Sequence, residues 1–320
     1  MWRRSRINQD QLTKSYIWLQ SLTIFFSLLL ATLFGGGWTI ASAQTLNWEG
    51  QTGIFITPLA YLAPSSEKGF GGPVVAYHYL NGGDVLGGFN QFSITIGALQ
   101  RIEFGYTRNV HTDGNSAPLS NLWGNGFNSF NGKLNVIPEN EWKRTWVPSL
   151  SVGFVARTQV PNVTAVIQGK DTTNANFYLT GTKTITKIPK LPVVLNLGYQ
   201  VGNSSLLGLA GNAPAYKGGL FGAAAFAIKG PARSTILLGS EFLQQPKQIE
   251  GVPGAVIPTT ITYAARIVPA GSFPSLHHGW SVERPRLCFD FGVAQIAGNV
   301  APGVNLQARA QFAFGISYGF

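Results

Sequence analysis

The sequence is poor in charged residues, cysteine and histidine, and the shortages of charge and of cysteine each exclude classes of protein. Charged side chains make up 11% of the 320 residues, whereas soluble domains carry about 25%. Such a low fraction argues against a coiled coil and against a charge-rich disordered chain. The single cysteine excludes an internal disulfide framework and a cysteine-rich zinc module. The length allows one large all-β domain or two ordinary domains.

The N-terminus has the features of an export signal. Basic residues precede an apolar stretch from Leu22 to Phe34, and Ala41-Ser42-Ala43 has the small-residue pattern that signal peptidases cut. We therefore predict that residues 1–43 are a cleaved signal peptide. The alternative is a retained anchor, but the apolar stretch is shorter than the ~20 residues needed to span a bilayer.

The remaining chain is dominated by a period of two. In its last fifteen residues the side chains alternate between apolar and polar or small, with the apolar ones at Leu306, Ala308, Ala310, Phe312, Phe314, Ile316, Tyr318 and Phe320. Successive side chains of a strand point to opposite faces, so one face of this strand is wholly apolar. The same alternation recurs in segments 74–80, 92–97, 102–107, 130–137, 150–157, 176–186, 193–200, 218–229, 234–243, 260–267 and 287–293.

Two surroundings could produce this alternation. In a soluble sandwich the apolar faces would meet in a core, whereas in a membrane barrel they would face lipid around a polar, glycine-rich interior. Most of these strands are long, and their polar faces carry Gly, Ser, Thr, Asn and Gln rather than Lys and Glu. We therefore predict an all-β protein whose residues 74–320 form a closed antiparallel transmembrane β-barrel in the outer membrane, with about twelve strands or, alternatively, fourteen. Residues 44–73 would be a periplasmic N-terminal segment or a plug in the barrel mouth.

The lengths of the connections support this topology. Short links alternate with long ones, as expected when short turns are periplasmic and long loops are outside. The short links are Leu99–Gln100, 138–146, 187–192 and 230–233, and the long ones are 81–91, 111–129, 159–175, 204–217 and 244–258. The order fails near the end, where 269–286 is long and 298–304 is short.

The parity of each strand places several charged side chains on the inner face. They are Glu103, Lys133, Arg157, Glu241, Arg266, Asp290 and Arg309. They could form ion pairs that hold strands in register, or they could line a pore. Arg266 and Asp290 lie on adjacent strands at similar depth and are expected to pair. Lys183 does not fit, because it falls on the apolar face, and either it reaches toward a boundary or the register slips there.

The end of the chain carries a recognisable motif. Gly315, Tyr318 and Phe320 resemble the closing strand of bacterial outer-membrane β-barrel proteins, in which aromatic residues occupy the last and third-last positions. Ala313 departs from this pattern, which has a polar residue there. The resemblance implies that the barrel-assembly machinery recognises this strand.

A second resemblance covers residues 50–60. The sequence from Gly50 to Ala60 is similar to the Gly-x-Thr-Gly-hydrophobic-x-x-Thr-Pro start of the YjbH-type outer-membrane proteins. It implies an association with polysaccharide export and brings no catalytic residues. The residues themselves are compatible with a short strand or a plug that Pro58 ends.

The sequence offers little catalytic chemistry. His277 and His278 have no Asp, Glu or Cys at ligand spacing, so neither a metal nor another cofactor is expected. His278 and Ser281 are the best candidates for a lipase or deacylase, but their irregular segment lies on the wrong side of the membrane. Lysine and arginine are spread singly, which argues against nucleic acid as a partner.

We therefore predict a protein that is not an enzyme. It would be a porin-like channel for the passive transport of small polar solutes, or a component associated with polysaccharide secretion. The alternatives are a non-conducting outer-membrane scaffold and an outer-membrane lipase or deacylase. The expected partners are outer-membrane lipids, the barrel-assembly machinery and polysaccharide-export components.

Overall fold

A computed structural model describes most of the chain after the predicted signal peptide. The described residues are 45–115, 123–161, 172–185, 192–231, 234–251, 256–257, 259–269, 287–295, 299–301, 304–305 and 311–320. The predicted signal peptide, the stretch from His277 to Ser281 and Arg309 lie outside these ranges. None of the helices in the described part of the chain is both long and apolar enough to cross a membrane.

Twelve antiparallel strands form a closed barrel, which confirms the fold predicted from the sequence. The strands are β1 (Val74–Asn81), β2 (Gly88–Ala98), β3 (Ile102–Thr112), β4 (Phe127–Ile137), β5 (Ser149–Thr158), β6 (Asn174–Ile185), β7 (Val193–Ser204), β8 (Asn212–Lys229), β9 (Thr235–Leu243), β10 (Thr260–Val268), β11 (Leu287–Gln295) and β14 (Gln311–Gly319). Each strand pairs with its neighbour in the chain, and β14 pairs with both β11 and β1 to close the wall. A helical turn α1 (Gly83–Leu86) and 3-10 turns at Glu141–Lys143 and Leu206–Gly208 lie in the connections.

The two faces of the wall differ in polarity. On β7, the outward side chains of Leu195, Leu197 and Tyr199 are 43%, 61% and 50% exposed, whereas the inward Asn196 is 5% exposed. This arrangement is the opposite of that in a soluble protein, in which large apolar side chains are buried and amides reach water. The exposed apolar side chains recur on strand after strand, from Ile94 on β2 to Phe312 on β14. Such a continuous apolar surface is the lipid-facing band of a transmembrane barrel.

The barrel has a turn end and a loop end. We call the end that carries the links after β2, β4 and β8 the turn end, and the end that carries the links after β1, β3 and β7 the loop end. Residues 64–73 lead into β1 at the turn end, and β14 finishes there. By the general rule for outer-membrane barrels, the turn end is the periplasmic one.

Three connections differ from the sequence prediction. The loop expected at 81–91 is shorter than predicted, because β2 already begins at Gly88. Strand β8 begins at Asn212, inside the loop expected at 204–217, because it pairs with β7 as far as Ser204 beyond a register shift. The connection from β11 to β14 contains the hairpin β12 (Asn299–Ala301) and β13 (Val304–Asn305), so it is longer than the short link expected at 298–304. At these connections the strands pair through their backbones, but the sequence has no apolar alternation there that would predict a strand.

The side chain of Lys183 reaches toward the membrane boundary, and the register of its strand does not slip. The register of β6 and β7 runs unbroken from Asn176 opposite Gly202 to Ile185 opposite Val193. Its Nζ lies 3.1 Å from a carboxylate oxygen of Glu139, in the link after β4. A long aliphatic stem thus crosses the apolar face while the ammonium group sits at the turn end.

Candidate functional site in the barrel lumen

Residues 45–63, which we call the inner segment, lie among the inward side chains of the barrel. Two antiparallel bridges, Leu46 with Thr52 and Gly53 with Pro58, fold the segment back on itself. Asn47 and Ala60 are fully buried. A buried irregular segment must find partners for its backbone N–H and C=O groups, and here the inward charged side chains provide many of them.

Glu103 and Lys133 hold the segment near the turn end. They face each other on β3 and β4, with 3.1 Å between Lys133 Nζ and a carboxylate oxygen of Glu103. Glu103 accepts hydrogen bonds from the backbone N–H groups of Thr52 (3.0 Å) and Ala63 (2.6 Å) and from the Thr52 hydroxyl. Lys133 donates to the carbonyl oxygens of Thr52 (3.0 Å) and Tyr61 (2.9 Å). This ion pair therefore fastens two separate points of the segment.

Glu241 on β9 binds three consecutive residues of the segment. Its carboxylate accepts from the backbone N–H groups of Phe55 (2.8 Å), Ile56 (3.1 Å) and Thr57 (2.7 Å). The hydroxyl of Thr57 donates a fourth bond at 2.6 Å. Several backbone N–H groups converging on one anion are an arrangement that stabilises a buried negative charge.

Arg157 on β5 pairs with a carboxylate of the segment itself. Its Nε donates to Glu49 Oε1 at 2.8 Å, and its Nη2 contacts the same oxygen. Its Nη1 donates to the amide oxygens of Asn174 (3.0 Å) and Asn176 (3.3 Å), both on β6. Arg157 is fully buried, so its charge is balanced by Glu49 rather than by water.

Arg266 and Asp290 form a cross-strand pair on β10 and β11. They stand opposite each other in the register, with 2.6 Å between Arg266 Nε and Asp290 Oδ1. Arg266 Nη2 also donates to the carbonyl oxygens of Gly53 (3.2 Å) and Ile54 (3.0 Å) of the segment. All six of the described inward charges expected from the sequence therefore lie on the inner wall, and Arg309 lies outside the described residues.

Two glycines and two threonines of the motif that begins at Gly50 make specific contacts inside the barrel. Gly50 has a φ of +77°, and a Cβ there would collide with the Thr107 side chain of β3. A Cβ on Gly53 would lie 2.5 Å from the carbonyl oxygen of Thr57. Thr52 and Thr57 place their hydroxyls on the two glutamates described above. The glycines permit close packing and the threonines add bonds to the wall.

Glu49 was not predicted from the sequence to contact the inner wall. A signal was nevertheless present, because four basic and three acidic side chains were expected to point inward. A buried positive charge in excess needs a carboxylate from elsewhere. Glu49 is one of the few acidic residues between the predicted signal peptide and β1.

An apolar cluster covers the segment toward the loop end. Trp48 and Phe55 of the segment pack in one buried cluster with Phe127, and Leu207 of the loop 205–211 packs against that cluster. Trp123 lies against the same cluster and donates its indole N–H to the carbonyl oxygen of Leu209 at 2.8 Å. The described part of the lumen is therefore occupied by the polar anchors of the segment and, above them, by this cluster.

The barrel-closing motif is placed at the seam of the wall. Gly315 lies opposite Asp290 on one side and His78 on the other. Tyr318 and Phe320 are in edge-to-face contact with ring centroids 4.9 Å apart. Recognition of these residues by the barrel-assembly machinery stays a prediction.

Comparison with known proteins gives no family. No family model matches the sequence, and no curated protein matches it. Among solved structures it is similar to the KdgM porin (TM-score 0.41, 11% identity, 77% of this chain and 99% of that chain). It is also similar to the NanC porin (TM-score 0.44, 7% identity, 78% and 100%) and to a bacterial polysaccharide outer membrane secretin (TM-score 0.37, 10% identity, 80% and 100%). Similarities of this size carry no argument about function.

The class of the protein follows from its own structure. The wall is closed and antiparallel with an even number of strands, its outer surface is apolar and its inner surface is polar. These are the properties of an outer-membrane β-barrel protein.

Proposed function

We propose that this protein is an outer-membrane channel for small polar solutes, closed by its own inner segment in the structure described. The observation that carries this proposal is the polar lining of the inner wall, which is unlike a packed apolar core. Besides the charged residues, buried amide and hydroxyl side chains line the lumen, among them Gln91, Ser93, Asn109, Asn131, Thr180, Asn196 and Gln200. A twelve-stranded barrel is wider than the eight-stranded kind that side chains alone can fill.

Opening requires the inner segment to leave its anchors. The bonds to Glu103, Glu241 and Arg157 are all non-covalent, so they can exchange with water or solute. Residues 64–73 connect the segment to β1 at the turn end. The segment therefore withdraws toward that end, and the polar wall behind it becomes the solute path.

A non-conducting outer-membrane scaffold is the second candidate. It is favoured by the occupied lumen and by the apolar cluster around Trp48 and Leu207. An association with polysaccharide-export components remains a prediction that depends on the resemblance of residues 50–60. The lipase or deacylase alternative depends on His278 and Ser281, outside the described residues.

Single-channel recording in planar bilayers tests the proposal. We expect rare stepwise openings of the wild-type protein and frequent openings of the double variant Glu103→Gln/Glu241→Gln, which weakens two anchors. Glu141→Gln is the matched control, because Glu141 lies in the turn after β4. If the folded wild type and the double variant are both electrically silent, the channel proposal is wrong and the scaffold function takes its place.

A further inference from the structure

Arg157 differs from the other described inward cations in the source of its counter-charge. Lys133 is paired with Glu103, and Arg266 with Asp290, in each case between adjacent strands of the wall. The carboxylate that faces Arg157 belongs instead to Glu49 of the inner segment. Withdrawal of the segment would leave the two wall pairs intact and would leave Arg157 facing no carboxylate from the described residues.

The wall holds the Arg157 guanidinium in place independently of the segment. Nη1 is bound by the amide oxygens of Asn174 and Asn176. These amides are themselves held, since Asn174 donates to Asn212 Oδ1 at 3.0 Å and Asn176 donates to Gln200 Oε1 at 3.1 Å. The two N–H groups that point to Glu49, on Nε and Nη2, would therefore stay aimed into the lumen. A pair of adjacent guanidinium N–H groups is the geometry that binds carboxylates best.

Arg157 lies near the loop end of the lumen, beneath loop 205–211. It is the second-last residue of β5 at that end. Loop 205–211 lies over it so closely that a Cβ on Gly208 would be 2.6 Å from Arg157 Cδ. Glu241, which withdrawal would also uncover, lies four strands further along the wall. That separation is about 19 Å at ~4.8 Å per strand, too far to neutralise the arginine.

We propose that Arg157, supported by Asn174 and Asn176, is a binding site for the carboxylate group of a small solute. Glu49 occupies this site as a built-in substitute while the lumen is closed. This inference rests on the proposed function, because it requires a lumen that opens, and it specifies the solutes as carboxylate-bearing. A solute carboxylate and the Glu49 carboxylate then compete for the same two N–H groups.

Chemical rescue of Glu49→Ala tests the site directly. Acetate supplies the CH₂–COO⁻ portion of the side chain that Glu49→Ala lacks, and acetamide is its neutral analogue. We expect acetate to raise the melting temperature of full-length Glu49→Ala protein in detergent at concentrations about tenfold or more below those at which acetamide acts. Two controls should show no such preference: Glu49→Ala/Arg157→Gln, which lacks the guanidinium, and Glu141→Ala, which removes a carboxylate in the turn after β4. Equal effects of the two compounds, or an unchanged preference in the double variant, would overturn the proposal.

A second variant covers the case in which Glu49→Ala does not fold. Glu49→Gln keeps the shape of the side chain without its charge, so added propionate should displace the amide from Arg157. We expect propionate, and not propionamide, to increase thiol labelling of an Ala60→Cys reporter in this protein. Labelling that is equal with both compounds would contradict the proposal.

The selectivity of the open channel separates this inference from the proposed function. In the Glu241→Gln protein, which keeps the Glu103–Lys133 pair, reversal potentials should show a several-fold preference for propionate over potassium that Arg157→Gln abolishes. If rescue succeeds and no variant conducts, the site stands and the channel proposal fails. If the channel conducts and rescue fails, the channel stands and the carboxylate site is wrong.

Discussion

Glu241→Gln should loosen the inner segment without disturbing the wall. The carboxylate accepts bonds from the N–H groups of Phe55, Ile56 and Thr57 and from the Thr57 hydroxyl. Glutamine keeps one accepting oxygen and presents an NH₂ group, itself a donor, to the remaining N–H groups. The neighbours of Glu241 in the register, Ala223 on β8 and Thr262 on β10, are uncharged, so the wall loses no ion pair.

The magnitude follows from the bonds lost. A hydrogen bond to a charged acceptor contributes about 1.5–3 kcal/mol, and a glutamine amide is easier to bury than a carboxylate, which offsets part of the loss. If the free energy that holds the segment against the wall falls by about 2 kcal/mol, the displaced population of the segment rises roughly thirtyfold, since each 1.4 kcal/mol is a factor of ten.

Thiol labelling measures that population. Ala60 is fully buried against the wall, so a cysteine there reacts only when the segment is displaced. The reporter Ala60→Cys is combined with Cys288→Ala, which removes the native buried thiol. We expect the labelling rate to rise roughly thirtyfold in Glu241→Gln and to stay unchanged in Glu141→Gln. An unchanged rate in folded Glu241→Gln would refute the reasoning that this carboxylate anchors the segment.

Three further outcomes are expected. Gly53→Ala should also increase labelling of the Ala60→Cys reporter, because the added Cβ would lie 2.5 Å from the Thr57 carbonyl oxygen; an unaltered rate would show that the segment adapts. Arg266→Gln leaves Asp290 buried without its partner and should lower the free energy of unfolding, measured by urea titration, by about 3–5 kcal/mol. The double variant Arg266→Gln/Asp290→Asn should recover part of that loss, and equal losses in the two proteins would contradict the pairing argument. Deletion of Phe320 should reduce the folded barrel in the outer-membrane fraction, with Phe312→Leu as a control on the same strand; normal amounts would show that the closing motif is not an assembly signal.

The strands of the wall were predictable because one face of each strand contacts lipid and the other faces the lumen. On β7, Leu195, Leu197 and Tyr199 alternate with polar or small residues, and the alternation itself indicates which side faces lipid. The extension of β8 over residues 212–217 was not predictable, since Asn, Ala, Pro, Ala, Tyr and Lys in succession show no alternation of apolar and polar side chains.

The partners of the inward charges were only partly predictable. Arg266 and Asp290 lie on adjacent strands at similar depth, so parity and strand ends suffice to pair them. The main partners of Glu241 are backbone N–H groups, which nearly every residue has and which therefore leave no trace in the sequence. The wall residues that the segment contacts could not be predicted for the same reason.

The order of the chain makes the β1–β14 seam decisive for assembly. The inner segment precedes the first strand, yet its hydrogen-bond partners are spread over strands from β2 to β10. A wall whose two edges are still apart admits the segment sideways, with its polar groups exchanging water for side chains as each strand arrives. Once the edges have met, only the two mouths remain as entrances. A molecule that seals with its segment outside can then fill its lumen only through the turn-end mouth, where residues 64–73 join the segment to β1.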